Sequence, residues 1–265
     1  MVLSAIALLF PAVANAGCTE IRTPYSIKAP GHYCVTAELT APGNGISVNA
    51  DNVDLDCGGY TIDGSSQVPA TTSRGIVGYG RTNVVVHDCR IRGFIEGIRL
   101  TGTGNTVRDN VVIAPYARGI AVEGGDNTIE GNRVSGVGGS SNYSWGAFGI
   151  LAKGPSIIRD NMVSGVMPTS GSGKSGYGIY TSENDSGVVQ RNAVRNVSGD
   201  GGVIAVAITV DDSSNVVLSG NILVNPTEAY SFPIYCTGEK NYSNGNVMYG
   251  FDHGVSPECT SITAQ

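Results

Sequence analysis

Residues 97–113 read GIRLTGTGNTVRDNVVI and residues 119–135 read GIAVEGGDNTIEGNRVS, so the chain nearly repeats itself after 22 positions. Each copy sets an asparagine, Asn110 or Asn132, among β-branched residues, where a buried amide is costly unless it is hydrogen-bonded. Residues 149–165, GILAKGPSIIRDNMVSG, repeat the pattern. Gly-Ile starts recur at Gly45, Gly75, Gly97, Gly119, Gly149 and Gly178, and Ala207-Ile208 and Pro233-Ile234 continue the series in steps of 30, 22, 22, 30, 29, 29 and 26 residues. A unit near 22 residues therefore carries extra loops in several copies.

Each copy holds three short β-like stretches, such as Ile98-Arg99-Leu100, Thr106-Val107-Arg108 and Val111-Val112-Ile113. Gly, Asn and Asp turn residues separate them, and no copy holds a long stretch with helical periodicity. Three short strands per unit, stacked copy on copy, specify an all-β fold: a right-handed parallel β-helix, or solenoid, of about eight coils with disulfide-supported ends. The hand follows from the usual handedness of parallel strand connections. Eight coils at about 4.8 Å make a rod of roughly 35 to 40 Å. A leucine-rich solenoid is disfavoured, because its L-x-x-L-x-L framework is missing.

Asn110, Asn132, Asn161, Asn192, Asn221 and Asn246 fall 12 to 14 residues after their repeat starts and form one column. An amide donates and accepts, so stacked amides can bond to one another and to turn backbone. The two earlier coils place Cys57 and Cys89 in that column, where adjacent rungs hold Cα atoms about 4.8 Å apart, inside the disulfide range. Six cysteines allow 15 pairings, and their distribution suggests Cys18 with Cys34, Cys57 with Cys89, and Cys236 with Cys259. Residues 1–16 carry an apolar run ending in Ala14-Asn15-Ala16, the pattern of a secretory cleavage site. The expected layout is a signal peptide over 1–16, an N-terminal cap over 17–44, the repeats over 45–246 and a C-terminal cap over 247–265. Export makes the compartment extracellular or periplasmic, where disulfides persist. Charged residues are 14% of the 265 and the net charge is −6 with no Lys/Arg-rich run, which argues against a nucleic-acid or anionic-membrane partner. No segment is long and apolar enough to span a bilayer.

The stretch GISVNADNVDLDCGGYTIDG at 45–64, with its recurring DN and GN steps, resembles the NosD-like right-handed β-helix repeat proteins of the pectin-lyase-like superfamily. The resemblance covers about residues 24–250. It implies carbohydrate as the commonest ligand class, but this architecture hosts lyases, hydrolases, epimerases, tail fibres and binding proteins. The copper-related role of NosD does not follow, because His32, His87 and His253 form no Met-rich or Cys/His cluster in the sequence.

Strand alternation sends each repeat's Ile inward and the next residue outward. The outward positions read Ser47, Val77, Arg99, Ala121, Leu151, Tyr180, Thr209 and Tyr235, with Asn49, Tyr79, Thr101, Glu123, Lys153, Ser182, Asp211 and Thr237 two residues on. Loops at 65–74, 138–148, 167–177 and 198–206 would wall a groove along this face. Elimination next to a uronate needs a cation, a base and an acid: Arg99 neutralises, Lys153 with a lowered pKa takes the proton, and Tyr180 donates one. Polysaccharide lyases of this fold use Arg, Lys and Tyr in such roles. Tyr79, Glu123, Trp145, Asp211 and Tyr235 would contact substrate, with Trp145 and Tyr143 stacking on sugar. The bland alternative is a row of solvated charges on a solenoid.

The functional expectation is binding or processing of an acidic extracellular polysaccharide, by lyase-type β-elimination if the chain is an enzyme. A non-enzymatic glycan-binding or adhesive module is the alternative. Asp211-Asp212 lacks the accompanying NTD, GHG and RIK segments of polygalacturonases, and His87-Asp88 lacks the DPHD arrangement of alginate epimerases. FDHG at 251–254 reads as a turn. Asp51, Asp54, Asp56 and Asp63 leave Ca²⁺ open as a ligand, but they match no loop motif, so no cofactor and no metal site are expected. Asn142, Asn184, Asn196 and Asn241 begin N-x-[ST] sequons.

Overall fold

The computed structural model describes residues 17–66, 71–140, 146–225 and 230–261, so the expected signal segment lies outside the described residues. Among the described residues the chain winds through three sheets in the order I, II, III. Every pairing in them is parallel. Sheet I has nine strands, sheet II eleven and sheet III nine. In the coil from Glu96, sheet I receives Glu96–Thr101, sheet II Thr106–Arg108 and sheet III Val111–Ile113. Residues 25–40, within the segment expected to cap the N-terminal end, already supply a strand to each sheet. The repeat alignment holds at single-residue register: Ile46, Ile76, Ile98, Ile120, Ile150, Ile179, Ile208 and Ile234 are consecutive Cα partners.

Those isoleucines meet Leu55, Val86, Val107, Ile129, Ile158 and Val189 of sheet II and Ile62, Ile91, Val112, Val134 and Val163 of sheet III in one continuous core. Burial of this apolar surface is the main favourable term, at about 25 cal/mol per Å². The glycine before each isoleucine has a steric cause. A Cβ on Gly97 would sit 2.4 Å from Val112 Cγ1 and 2.6 Å from the Gly119 carbonyl oxygen, and one on Gly119 would sit 2.3 Å from Val134 Cγ1. At this corner sheets III and I approach too closely for a side chain in the six Gly-Ile coils, whereas Ala207 and Pro233 take the same position in the two coils that follow.

The asparagine column is a ladder. Asn132 Oδ1 accepts from the backbone N and from Nδ2 of Asn110, each at 3.0 Å. Its own Nδ2 donates down to the Val107 carbonyl at 2.8 Å and up to Asn161 Oδ1 at 3.0 Å. The pattern repeats through Asn161, Asn192, Asn221 and Asn246. It ends below where the Cys89 backbone N donates to Asn110 Oδ1, so the ladder begins where the Cys57–Cys89 bridge stops. Cys18–Cys34, Cys57–Cys89 and Cys236–Cys259 are all bonded, with Cα separations of 5.6, 4.7 and 5.4 Å.

A second ladder at the corner between sheets I and II is not foreseen by the column reading. Asn105 Oδ1 accepts from Val84 N, Asn127 Oδ1 from Asn105 N and Asn184 Oδ1 from Ser156 N, and Asn241 Oδ1 accepts from Val216 N. Asn184 and Asn241 are fully buried in it, so these two sequons present no accessible amide in the folded chain.

Asn161→Ala removes both hydrogen bonds that Asn132 makes upward and the donor to the Ile129 carbonyl. Each buried group left unsatisfied costs about 1–3 kcal/mol. Urea unfolding is expected to show a loss of at least about 3 kcal/mol, whereas Asn49→Ala, at an exposed site whose amide bonds only the Ser26 hydroxyl, changes stability far less.

Candidate functional site

The outer face of sheet I is not the row of exposed side chains that alternation predicts. Val77, Ala121, Leu151 and Thr209 point outward but are buried. What covers them is a column two residues before each isoleucine. Arg74, Glu96, Arg118, Phe148, Tyr177, Val206 and Phe232 are successive Cα partners. Alternation counted back from an inward isoleucine would turn these residues inward. The glycine between them faces inward as well, so the corner resets the phase and the preceding residue faces out.

In the N-terminal half this column is ionic. Glu96 is 1% exposed and lies between Arg74, with Nε on Oε2 at 2.5 Å, and Arg118, with Nη1 on Oε1 at 2.9 Å. Arg99 sits against the same carboxylate at 3.8 Å and bonds Glu123 through Nη2 at 2.8 Å. Stacked rungs set like charges opposite one another, which is destabilising. The Arg-Glu-Arg order alternates the sign. The cation expected to neutralise a substrate is therefore already committed: Arg99 pairs with two glutamates, and its Nε and Nη1 are buried with no hydrogen-bond acceptor.

The C-terminal half is aromatic. Arg118 lies over the Phe148 ring at 5.7 Å, and Phe148 stacks on Tyr177 at 5.0 Å between centroids. Tyr180 meets both edge-on, at 5.5 and 5.3 Å. With Ala121 and Leu151 these rings make a second apolar cluster outside the solenoid. Further along, Phe232 packs on Tyr235 at 5.7 Å and stacks on His253 at 4.3 Å, so the FDHG bend supplies a ring to the same face. Asp211 joins the two groups. The Tyr180 hydroxyl donates to its Oδ2 at 2.5 Å and the Thr237 hydroxyl to its Oδ1 at 2.7 Å. Burial, then the neighbouring carboxylate, pushes the Tyr180 phenol well above its usual range.

The residues expected to perform elimination do not converge. Arg99 and Tyr180 lie three rungs apart in one column, roughly 14 Å. Lys153 is exposed, and its ammonium bonds Glu183 at 2.9 Å. That pair raises the lysine pKa, the opposite of what a general base requires. Of the other expected contacts, Tyr79 is exposed beyond its strand, under the Arg74 guanidinium at 5.9 Å. Glu123, Asp211 and Tyr235 lie on the face. Trp145 and Tyr143 fall outside the described residues. Loops 167–177 and 198–206 are tied together where Asp200 accepts from the backbone N of Gly171 at 3.0 Å and of Gly173 at 2.6 Å. Beside them, Ser140, Thr169, Ser170, Gly171, Ser172 and Lys174 line an open cleft at the rim of sheet I.

The four aspartates that left Ca²⁺ open as a ligand do not form one site. Asp63 is held by Arg92 at 2.6 Å, and Asp51 accepts from Thr82 N and lies 3.9 Å from Arg81. Asp54 and Asp56 instead flank His87, at 3.1 and 3.7 Å.

Residues 40–151 and 74–250 match the family model described as a right handed beta helix region. No curated protein matches the chain. Among solved structures, DFA-IIIase from Arthrobacter chlorophenolicus A6 in complex with GF2 is similar at 15% identity and a TM-score of 0.51, over 86% of this chain and 64% of that one. This chain thus spans less than two thirds of that protein. Alginate lyase from Paenibacillus sp. str. FPU-7 aligns at 12% identity and a TM-score of 0.41, over 90% of this chain and 99% of that one. A tailspike protein mutant of E. coli bacteriophage HK620 in complex with pentasaccharide aligns at 14% identity and a TM-score of 0.39, over 92% and 53%. At such identities the likeness is one of fold.

Glu96→Ala leaves three guanidiniums crowded without their shared carboxylate, and breaking a buried pair in this way costs about 3–5 kcal/mol; chemical denaturation measures it. Arg92 holds the Asp63 carboxyl at about 2, below the unfolded value near 3.9. Its contribution is therefore complete above about pH 4 and is lost as pH falls from there through about 2. Asp63→Asn is expected to flatten the acid limb of the Tm profile in that window.

Proposed function

The chain belongs to the right-handed β-helix family, and from that scaffold we propose that the outer face of sheet I binds an extended polysaccharide. The observation that carries this reading is the pair of aromatic groups on one rigid sheet, Tyr177 and Tyr180 packed on the buried Phe148, and Phe232 and Tyr235 two rungs further on, with the Asp211 carboxylate on the rung between them. Aromatic rings give apolar area with little conformational entropy to lose, and a few fixed polar groups set orientation. Each Asp211 oxygen accepts one protein hydroxyl and keeps lone-pair capacity for sugar hydroxyls. The open cleft at the rim of sheet I is polar, with the Thr169 and Ser172 hydroxyls donating to the Ser140 carbonyl and to Asp200.

Two finer features of the sequence reading fare differently. An acidic chain would need free cations, but Arg99 and Lys153 each have a carboxylate partner, and the charges on the face balance. A neutral, hydroxyl-rich glycan fits the rings and Asp211 better. Elimination would need a lysine of lowered pKa, and Lys153 is shifted upward. Binding, rather than lysine-based elimination, is therefore the activity the geometry supports best. Export to an oxidising compartment accords with the three disulfides.

A panel of neutral and acidic polysaccharides, assayed for both binding and unsaturated-uronate absorbance, tests the proposal. Tyr177→Ala and Tyr180→Ala are each expected to weaken binding of a neutral member at least about tenfold, the 1.4 kcal/mol of a modest anchor residue. Lys153→Ala should leave it unchanged. Absorbance that Lys153→Ala abolishes would replace this reading with elimination, and absence of binding across the panel would reject it.

A further inference from the structure

We propose that the imidazole of His87 and the carboxylates of Asp56 and Asp88 bind one divalent transition-metal ion of the Zn²⁺ class, on the outer side of sheet II. The site is built across two rungs. Asp56 ends strand Val53–Asp56, His87 ends strand Val84–His87, and the two are Cα partners. Asp88 follows at a positive φ of 53° that turns the chain away. One ligand atom from each of the three lies within 4.8 Å of the others.

The imidazole carries the inference. Its side chain is nine-tenths buried, with Nδ1 at 2.8 Å from Asp88 Oδ2 and 3.7 Å from Asp56 Oδ1, and Nε2 at 3.1 Å from Asp54 Oδ1. A neutral imidazole owns one proton for two nitrogens. Placed on Nε2, that proton is donated to Asp54 and leaves the buried Nδ1 lone pair aimed, without a proton, at two further carboxylates. A cation between them resolves the clash. A histidine that ligates through one nitrogen and gives the other N–H to a carboxylate is the usual carboxylate–histidine–metal arrangement. Bonds of about 2.0–2.2 Å at tetrahedral angles put neighbouring ligand atoms roughly 3.3–3.5 Å apart, and 2.8 and 3.7 Å bracket that separation.

The cation on the next rung is already paired. Arg108, the rung partner of His87, is paired with Asp109 at 3.1 Å. Among the described residues the only other base within reach is His32, 3.9 Å from Asp54 Oδ2. Cys34, beside His32, is closed in a disulfide and offers no thiolate. Nitrogen together with oxygen donors favours a Zn²⁺-type ion over Ca²⁺, which takes six to eight oxygens. Asp56 and Asp88 each precede a cysteine of the Cys57–Cys89 bridge, so the ion would clip from outside the same two coils that the disulfide joins from within.

Titration calorimetry and thermal melting of the untagged, disulfide-intact chain with Zn²⁺ alone, and separately with Ca²⁺, test the site. One Zn²⁺ per chain with a raised Tm is expected. His87→Gln and Asp88→Asn should each remove both effects, while Asp54→Asn, which acts only through the imidazole, should weaken binding about tenfold to hundredfold at unchanged stoichiometry. Asp88 lies in an exposed turn, so its variant tests the site even if His87→Gln fails to fold. No Zn²⁺ binding, binding that survives both substitutions, or Ca²⁺ bound as tightly as Zn²⁺ would each overturn the proposal.

Discussion

A buried amide in a parallel solenoid must find its partners one rung up and one rung down, and everything else in this chain is arranged so that it can. From Asn132 to Asn221 the column meets that demand with each side chain donating in both directions while its oxygen takes two donors from the rung before. Such a network is stabilising only when complete. It pins the register of sheets II and III and so, through the connecting strands, that of sheet I. Where the ladder stops, toward the N-terminal end, Cys57–Cys89 occupies the same column, and a covalent bond takes over from hydrogen bonds.

The second constraint is the corner between sheets III and I. Gly97 and its equivalents lie within contact distance of a β-branched side chain and of the next rung's carbonyl. The requirement for no Cβ explains the Gly of every Gly-Ile pair, and the same corner turns the preceding residue to the outside, before Ala207 and Pro233 as well. That reversal creates the functional face. It brings Arg74, Glu96 and Arg118 together at one end and Phe148, Tyr177 and Phe232 at the other, over a floor of small and apolar residues.

Stacking imposes chemistry on both outer faces. Identical positions on adjacent rungs are neighbours, so charges alternate in sign, as in Arg74-Glu96-Arg118, or gather about an imidazole, as Asp54 and Asp88 do at His87. Aromatic side chains escape this restriction because edge-to-face and offset packing is favourable between like residues. A file of rings is therefore a surface that this architecture can repeat without an electrostatic cost.

The sequence by itself determined the architecture. Its Gly-Ile starts gave the rung register, its asparagines the internal ladder, and its cysteine distribution the three bridges, because a period imposed by stacking is written into every copy. The same alignment held the outer column two residues before each isoleucine, Arg-Glu-Arg and then Phe-Tyr-Val-Phe, but alternation counted back from the isoleucine would turn it inward. Only the tertiary structure revealed the corner at Gly97 that reverses the phase. Partnership, too, was decided there: Arg99, Lys153 and Tyr180 read as free catalytic groups in the chain, yet each is held by a carboxylate of the next coil, Glu123, Glu183 and Asp211, and Arg99 also lies against Glu96 of its own strand. Local pattern fixes which face a strand residue takes only while the strand stays straight, and a side chain's charge state depends on neighbours that folding brings from other coils.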